Sequence, residues 1–131
     1  MRTILVVDDS ETIRNFVKIY LMNSGCEFLE AEDGERALTL ARLMSLDLII
    51  ADVKMPIMDG FAMVAAMRKD PDVKSKGVPI ILLTAEKGPL LRTHTLAVGA
   101  NAFLAKPIDA EKLRELVKQL LDGGASTGGR R

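Results

Sequence analysis

Two hydrophobic rhythms alternate along this chain. Short apolar runs without alternation occupy Ile4–Val7, Leu48–Ala51, Val78–Leu83 and Ala102–Ala105, the pattern of strands in a parallel sheet covered on both faces. Phe28–Ala31 is a shorter run of the same kind. Between them apolar residues recur at helical spacing: Ile13, Val17, Tyr20 and Leu21; Ala37, Leu38, Ala41 and Met44; Phe61, Val64 and Met67; Leu90, Leu91, His94 and Val98; and Leu113, Leu116, Val117, Leu120 and Leu121. Punctuation agrees with these boundaries. Gly25 after Ser24 predicts the stop of the first helix, Asp59 caps the third, Gly88 and Pro89 stand near the start of the fourth, and Gly99 ends it. Pro79 is tolerated at the start of a strand, where its missing N–H does no harm, and the charged stretch 70–77 with Pro71 reads as a loop.

Five strand signals alternating with five helix signals predict an α/β fold, a doubly wound five-stranded parallel sheet with five helices. At this length the flavodoxin-like strand order 2-1-3-4-5 is the natural topology. The domain is expected over residues 1–122. Residues 123–131 hold four glycines and no large apolar side chain, so a flexible tail is expected there.

Composition narrows the function classes. A chain of 131 residues is one domain and buries roughly two-thirds of its unfolded surface without disulfides or a structural metal. Eighteen basic and eighteen acidic residues balance, so the overall field gives no reason to expect nucleic acid or an anionic membrane as a partner. Cys26 is the only cysteine, which excludes an internal disulfide and fits a reducing cytosol. Ile4–Val7 is too short for a signal-peptide core or a membrane span. The expectation is a soluble, cytoplasmic protein. His94 is the sole histidine; with no second ligand nearby it reads as a surface or packing residue.

Candidate chemistry gathers at the carboxyl ends of the strands. Strands 1 and 3 flank the switch point of the predicted order, where ligands bind in open α/β sheets; they end in Asp8-Asp9 and Asp52, while Thr84 and Lys106 end strands 4 and 5. Asp52 has a structural alternative as a helix cap, although Asp59 suits that role better. Two unit charges about 4 Å apart repel by roughly 4 kcal/mol at an effective dielectric near 20, so three carboxylates need a cation. Oxygen-only ligands fit Mg²⁺, which takes one or two carboxylates and keeps room for a phosphoryl oxygen. Lys106 offers a point charge to a phosphoryl group and Thr84 a hydroxyl. Nucleophile, metal and cation together are what phosphoryl transfer needs.

With Asp8-Asp9, Asp52, Met55-Pro56, Met58-Asp59-Gly60, Leu83-Thr84-Ala85, Gly99-Ala100, Phe103 and Lys106-Pro107 at successive strand ends and loops, the sequence resembles the receiver domain of bacterial two-component response regulators. It is similar to the single-domain, chemotaxis-type members over about residues 3–122. The resemblance implies that Asp52 accepts a phosphoryl group from a sensor histidine kinase or phosphotransfer protein, with Mg²⁺ held by Asp9, Asp52 and the backbone carbonyl of Lys54, and Asp8 acting mainly through water. It implies that Thr84 and Lys106 bind the phosphoryl oxygens, that Ala85 leaves room for them, and that the Lys106-Pro107 peptide is cis. Phe103 is implied as the switch aromatic, moving inward with Thr84 and altering the face made by the fourth helix, fifth strand and fifth helix, where a downstream protein binds. The chain itself is expected to be a monomer.

Rival readings are weaker. Dehalogenase-type phosphatases use the same strand-end Asp, Mg²⁺, Thr and Lys, but need a second Asp two positions after the nucleophile, where this chain has Lys54. Enzymatic turnover beyond self-catalysed phosphorylation and dephosphorylation is therefore not expected. A flavin module would want a Ser/Thr/Gly-rich phosphate loop after strand 1, and Asp8-Asp9-Ser10-Glu11 repels phosphate. Lys54 and Glu86, each two residues beyond a site residue, are expected to project over the mouth and to pair there as a gate against water.

Overall fold

The computed structural model describes residues 1–123. Five strands, β1 (Thr3–Val7), β2 (Glu27–Ala31), β3 (Leu48–Asp52), β4 (Ile80–Thr84) and β5 (Ala102–Ala105), alternate with helices α1 (Glu11–Tyr20), α2 (Gly34–Leu43), α3 (Gly60–Lys69), α4 (Leu91–Val98) and α5 (Ala110–Lys118). All neighbouring strands run parallel in the order β2-β1-β3-β4-β5, as expected. A single π-helical turn, Gln119–Gly123, continues α5.

Successive strand residues point to opposite faces, and the sheet uses both. Ile4 and Val6 join Val17 of α1 and Leu113 and Val117 of α5 in one core. Leu5 and Val7 join α2 and α3 in the other, with Leu91 and Val98 of α4 packed at its edge. Every residue of β3 and β4 is buried, which explains why their sequences show no alternation. Each fully buried aliphatic side chain of these strands contributes roughly 1.5–3 kcal/mol relative to an exposed one. The register sets Val7 beside Ala51, Asp52 beside Leu83, and Thr84 beside Ala105, so the polar strand-end residues come out at one edge of the core.

Some boundaries differ from expectation. The first helix stops at Tyr20 rather than running to Gly25. Ser24 Oγ donates to the Leu21 carbonyl at 2.6 Å and Met22 N–H turns back to the Ile19 carbonyl, so side-chain competition unwinds the last turn before Gly25, which takes φ 75. Met44 lies outside α2 in extended backbone and is exposed. The fourth strand begins at Ile80, because Pro79 contributes only its carbonyl, which accepts Ile49 N–H at 2.9 Å. Of the expected tail, Gly123 closes the π-helical turn and residues 124–131 lie outside those described. Among the described residues no helix is long and apolar enough to cross a membrane.

Candidate functional site

The site is assembled by four strand ends. Asp8 follows β1 and is 1% exposed; Asp52 is the last residue of β3 and Thr84 the last of β4, both buried. Asp9 is exposed at the rim. Hydrogen bonds hold Asp8 from three sides: its N–H donates to the Ala31 carbonyl, its own carbonyl accepts from Arg14 Nη1 at 2.6 Å, and its Oδ1 accepts Ser10 N–H at 2.9 Å. Ser10 in turn caps α1 through Ile13 N–H. One residue thus links the acid to the start of the helix.

Lys106 leaves β5 at the cis Lys106-Pro107 peptide and reaches back into the crevice. Its Nζ lies 2.9 Å from Asp52 Oδ1 and 3.7 Å from Asp8 Oδ2. Its own N–H donates to the Thr84 carbonyl, fixing the two strand ends together. Thr84 Oγ1 accepts Glu86 N–H at 2.9 Å. Asp52, Lys54, Thr84, Ala85, Glu86 and Lys106 line one cleft of about 240 Å³. The residues read from sequence as nucleophile, hydroxyl and cation therefore converge.

One ammonium faces three carboxylates. An oxygen from each of Asp8, Asp9 and Asp52 lies within 4.8 Å of the others, and the buried Asp8 Oδ2 has no hydrogen-bond partner. Loss of water pushes the Asp8 carboxyl up from its ordinary 3.8 to about 6; the Asp52 charge and Asp9 push the same way, while Ser10 N–H and Lys106 oppose them. A divalent cation answers both the excess charge and the orphaned oxygen. All donors are hard oxygens, the set that Mg²⁺ prefers, so these residues fit the metal.

The loop after β3 forms the opposite wall. Gly60 N–H donates to the Val53 carbonyl at 2.8 Å, and a Cβ at Gly60 would lie 2.5 Å from the Asp52 carbonyl oxygen, so only glycine lets α3 start this close to the peptide of Asp52. Asp59 caps α3 through Ala62 N–H. Between them Met58 N–H closes on the Pro56 carbonyl at 2.7 Å, holding the exposed Ile57 at φ 70, a costly conformation for a β-branched residue. Lys54 and Glu86 line this mouth together with Asp9 and Phe61, yet no ion pair joins them among the described residues. The expected pair is corrected accordingly: both side chains are exposed, and ordering two long solvated side chains costs about as much as their attraction returns.

Phe103 is half-buried in β5, packed against the α2–α3–α4 core and lining a groove with Arg92, Leu96, Lys112 and Leu116 of α4 and α5. His94 is an exposed residue of α4 whose ring stacks on Phe61 at 3.9 Å between centroids, a packing role. Sequence reading missed Ser10 and Arg14, which orient Asp8. The Ser-Glu pair at the start of the first helical rhythm was the available signal for Ser10, while Arg14 had none.

A family model described as the response regulator receiver domain matches residues 4–118. The probable transcriptional regulator ycf27 of Cyanophora paradoxa is 37% identical over 120 residues, 92% of this chain and 48% of that protein; the chain thus spans about half the length of such relatives. The Vibrio cholerae chemotaxis protein CheY4 superposes with a TM-score of 0.82 at 40% identity, over 92% of this chain and 99% of that one. The receiver domain of the sensor histidine kinase PA1611 of Pseudomonas aeruginosa, solved with a magnesium ion coordinated in its active-site cleft, superposes with a TM-score of 0.80 at 28% identity, over 92% of this chain and 97% of that one. With five parallel strands in this order, acids following β1 and ending β3, a threonine ending β4 and a lysine following β5, the chain belongs to the response regulator receiver domain family of two-component signalling.

Proposed function

We propose that Asp52 is the phosphoryl acceptor of this receiver and that the chain passes the phosphorylation state of a histidine kinase or phosphotransfer protein to a downstream protein. The observation that carries this reading is the Asp52–Lys106 contact of 2.9 Å, in one cleft with Thr84 and beside two further acids. A carboxylate oxygen of Asp52 attacks the phosphorus of a phosphohistidine; the P–N bond breaks as the P–O bond forms, and the departing imidazole keeps the bonding pair. Lys106 neutralises charge gathering on the phosphoryl oxygens, a positioned cation being what such a transfer requires. Thr84 Oγ1 gives up the Glu86 N–H and donates its own proton to a phosphoryl oxygen. Exposed Ala85 leaves that side of the cleft open.

Asp8, Asp9, Asp52 and the backbone carbonyl of Lys54 would hold Mg²⁺, with Asp8 acting mainly through water. The metal, when bound, supplies charge neutralisation for the carboxylates and the incoming phosphoryl group. The signal leaves through Phe103: departure of the Thr84 hydroxyl opens room for the ring, and the α4–β5–α5 face changes shape for its partner. We read the receiver as a cytoplasmic monomer with no nucleic-acid contact of its own. Lys54 stands where a dehalogenase-type phosphatase needs its acid, so the acyl phosphate decays by self-catalysed hydrolysis rather than by multiple turnover.

Incubation with radiolabelled acetyl phosphate and Mg²⁺ tests the assignment. Stable label on the wild type and none on Asp52→Asn is expected, because the amide keeps the shape but cannot attack phosphorus. Equal labelling of the variant, or rapid multiple-turnover phosphate release, refutes it.

A further inference from the structure

Helix α4 is anchored by side-chain hydrogen bonds at one end, while the other end is held by packing alone, with half-buried Leu91 at the edge of the α2–α3 core. At its C-terminus Gly99 takes φ 104, and Arg68 of α3 donates to the Gly99 carbonyl at 3.0 Å and to Asn101 Oδ1 at 3.2 Å. Asn101 Oδ1 also accepts Ile80 N–H at 2.8 Å, so this end is tied to α3, β4 and β5. At its N-terminus the cap residue Leu90 is 74% exposed and supplies no side-chain hydrogen bond. Thr95 is the only fully buried residue of the helix. The N-terminal half has one ring contact outside its own helix: His94 lies over Phe61, with centroids 3.9 Å apart and planes within 18°. Phe61 is the second residue of α3, directly after Gly60, and lines the mouth of the site.

We propose that the Phe61–His94 stack is a latch that holds α4 in its resting position, making His94 a positioning residue that sets how readily Asp52 is phosphorylated. The inference rests on Asp52 being the phosphoryl acceptor. In the resting arrangement Thr84 Oγ1 is engaged by Glu86 N–H; when a phosphoryl group takes the hydroxyl, the loop from Ala85 to Leu90 rearranges, and the N-terminal end of α4 follows it. The C-terminal anchor makes that motion a swing, and a swing separates two rings stacked near the moving end. Energy stored in the stack therefore opposes the active state. Linkage makes this reciprocal: whatever favours the resting position weakens phosphoryl binding by the same factor.

Beryllofluoride with Mg²⁺, a non-covalent stand-in for the phosphoryl group, measures that factor on the full chain by backbone NMR. An aromatic stack of this kind changes an equilibrium by roughly two- to tenfold. In His94→Ala the dissociation constant for beryllofluoride is expected to fall by that amount, and the resting amide shifts of Leu91–Val98 to move toward the bound positions of the wild type. His94→Gln, polar and of similar reach but without a ring, should behave likewise, and His94→Tyr should restore wild-type values. A purely structural role would not produce rescue by ring chemistry. Unchanged or weaker beryllofluoride binding in a folded His94→Ala or His94→Gln, against a wild type that binds, overturns the latch alone. A wild type that binds no beryllofluoride overturns the acceptor reading and the latch with it.

Discussion

Replacing Asp8 by asparagine should stabilise the metal-free protein. Asp8 is buried with one oxygen unpartnered, and its carboxyl is pushed from 3.8 to about 6, chiefly by loss of water. Holding that acid ionised at neutral pH costs about 3 kcal/mol of folding free energy. An asparagine keeps an oxygen for Ser10 N–H and turns an amide donor toward the carboxylate of Asp52, so most of the cost is recovered, about 1–3 kcal/mol. Chemical and thermal denaturation in the presence of a chelator would show a melting midpoint higher by roughly 4–12 °C. The folded chain binds the proton more tightly than the unfolded chain, so the cost is full above about pH 6, is relieved as pH falls through the folded value, and is gone below 3.8. The advantage of Asp8→Asn must therefore shrink between neutral pH and about pH 4. Mg²⁺ should stabilise the wild type by mass action, about 1.4 kcal/mol at tenfold excess over its dissociation constant, and the variant less. A variant no more stable than wild type at neutral pH without metal, or an advantage that persists undiminished at acid pH, refutes this electrostatic account.

Two further outcomes concern the rim of the same site. Asp9→Ala should leave the metal-free melting point within about 0.5 kcal/mol of wild type, as for an exposed position, while removing most of the stabilisation by millimolar Mg²⁺ and slowing labelling by acetyl phosphate; melting curves with and without metal decide it. Lys54→Ala and Glu86→Ala should each shorten the acyl-phosphate lifetime by clearing the mouth. Because the two side chains do not pair, their effects on dephosphorylation rate should add in the double variant, and unchanged lifetimes would remove both from any gating role.

The ends of the strands and the polar residues gathered there were both legible in the sequence, for one physical reason. A strand buried on both faces has no polar positions until it reaches its end, so Asp8, Asp52 and Thr84 marked both where β1, β3 and β4 stop and where water and ligands begin. Helix ends were less legible. The first helix looked continuous to Gly25 because Tyr20 and Leu21 keep the period, and only the Ser24 hydroxyl bond to the Leu21 carbonyl shows why it unwinds. Met44 kept the spacing of α2 but follows the last helical residue. Contacts that depend on the mutual position of two helices had no local trace: neither the Phe61–His94 stack nor the Arg68 bonds to Gly99 and Asn101 can be derived from periodicity. The Lys54–Glu86 pairing failed for another reason, since opposite charges at one mouth do not dictate where flexible exposed side chains rest.

The missing side chain at Gly60 has a bearing on how such a chain can diversify. With Asp52's carbonyl oxygen 2.5 Å from where a methyl would stand and Val53 Cα at 2.9 Å, even alanine must lever the start of α3 away from the sheet, and Phe61 with it. Neighbouring exposed side chains such as Lys54 and Glu86 can vary without disturbing the backbone beneath. Position 60 has no such latitude: an altered residue there shifts the Asp52 peptide, the helix entry and the ring contact to α4 in one step. A library aimed at new signalling behaviour gains by randomising the rim and leaving this one glycine untouched.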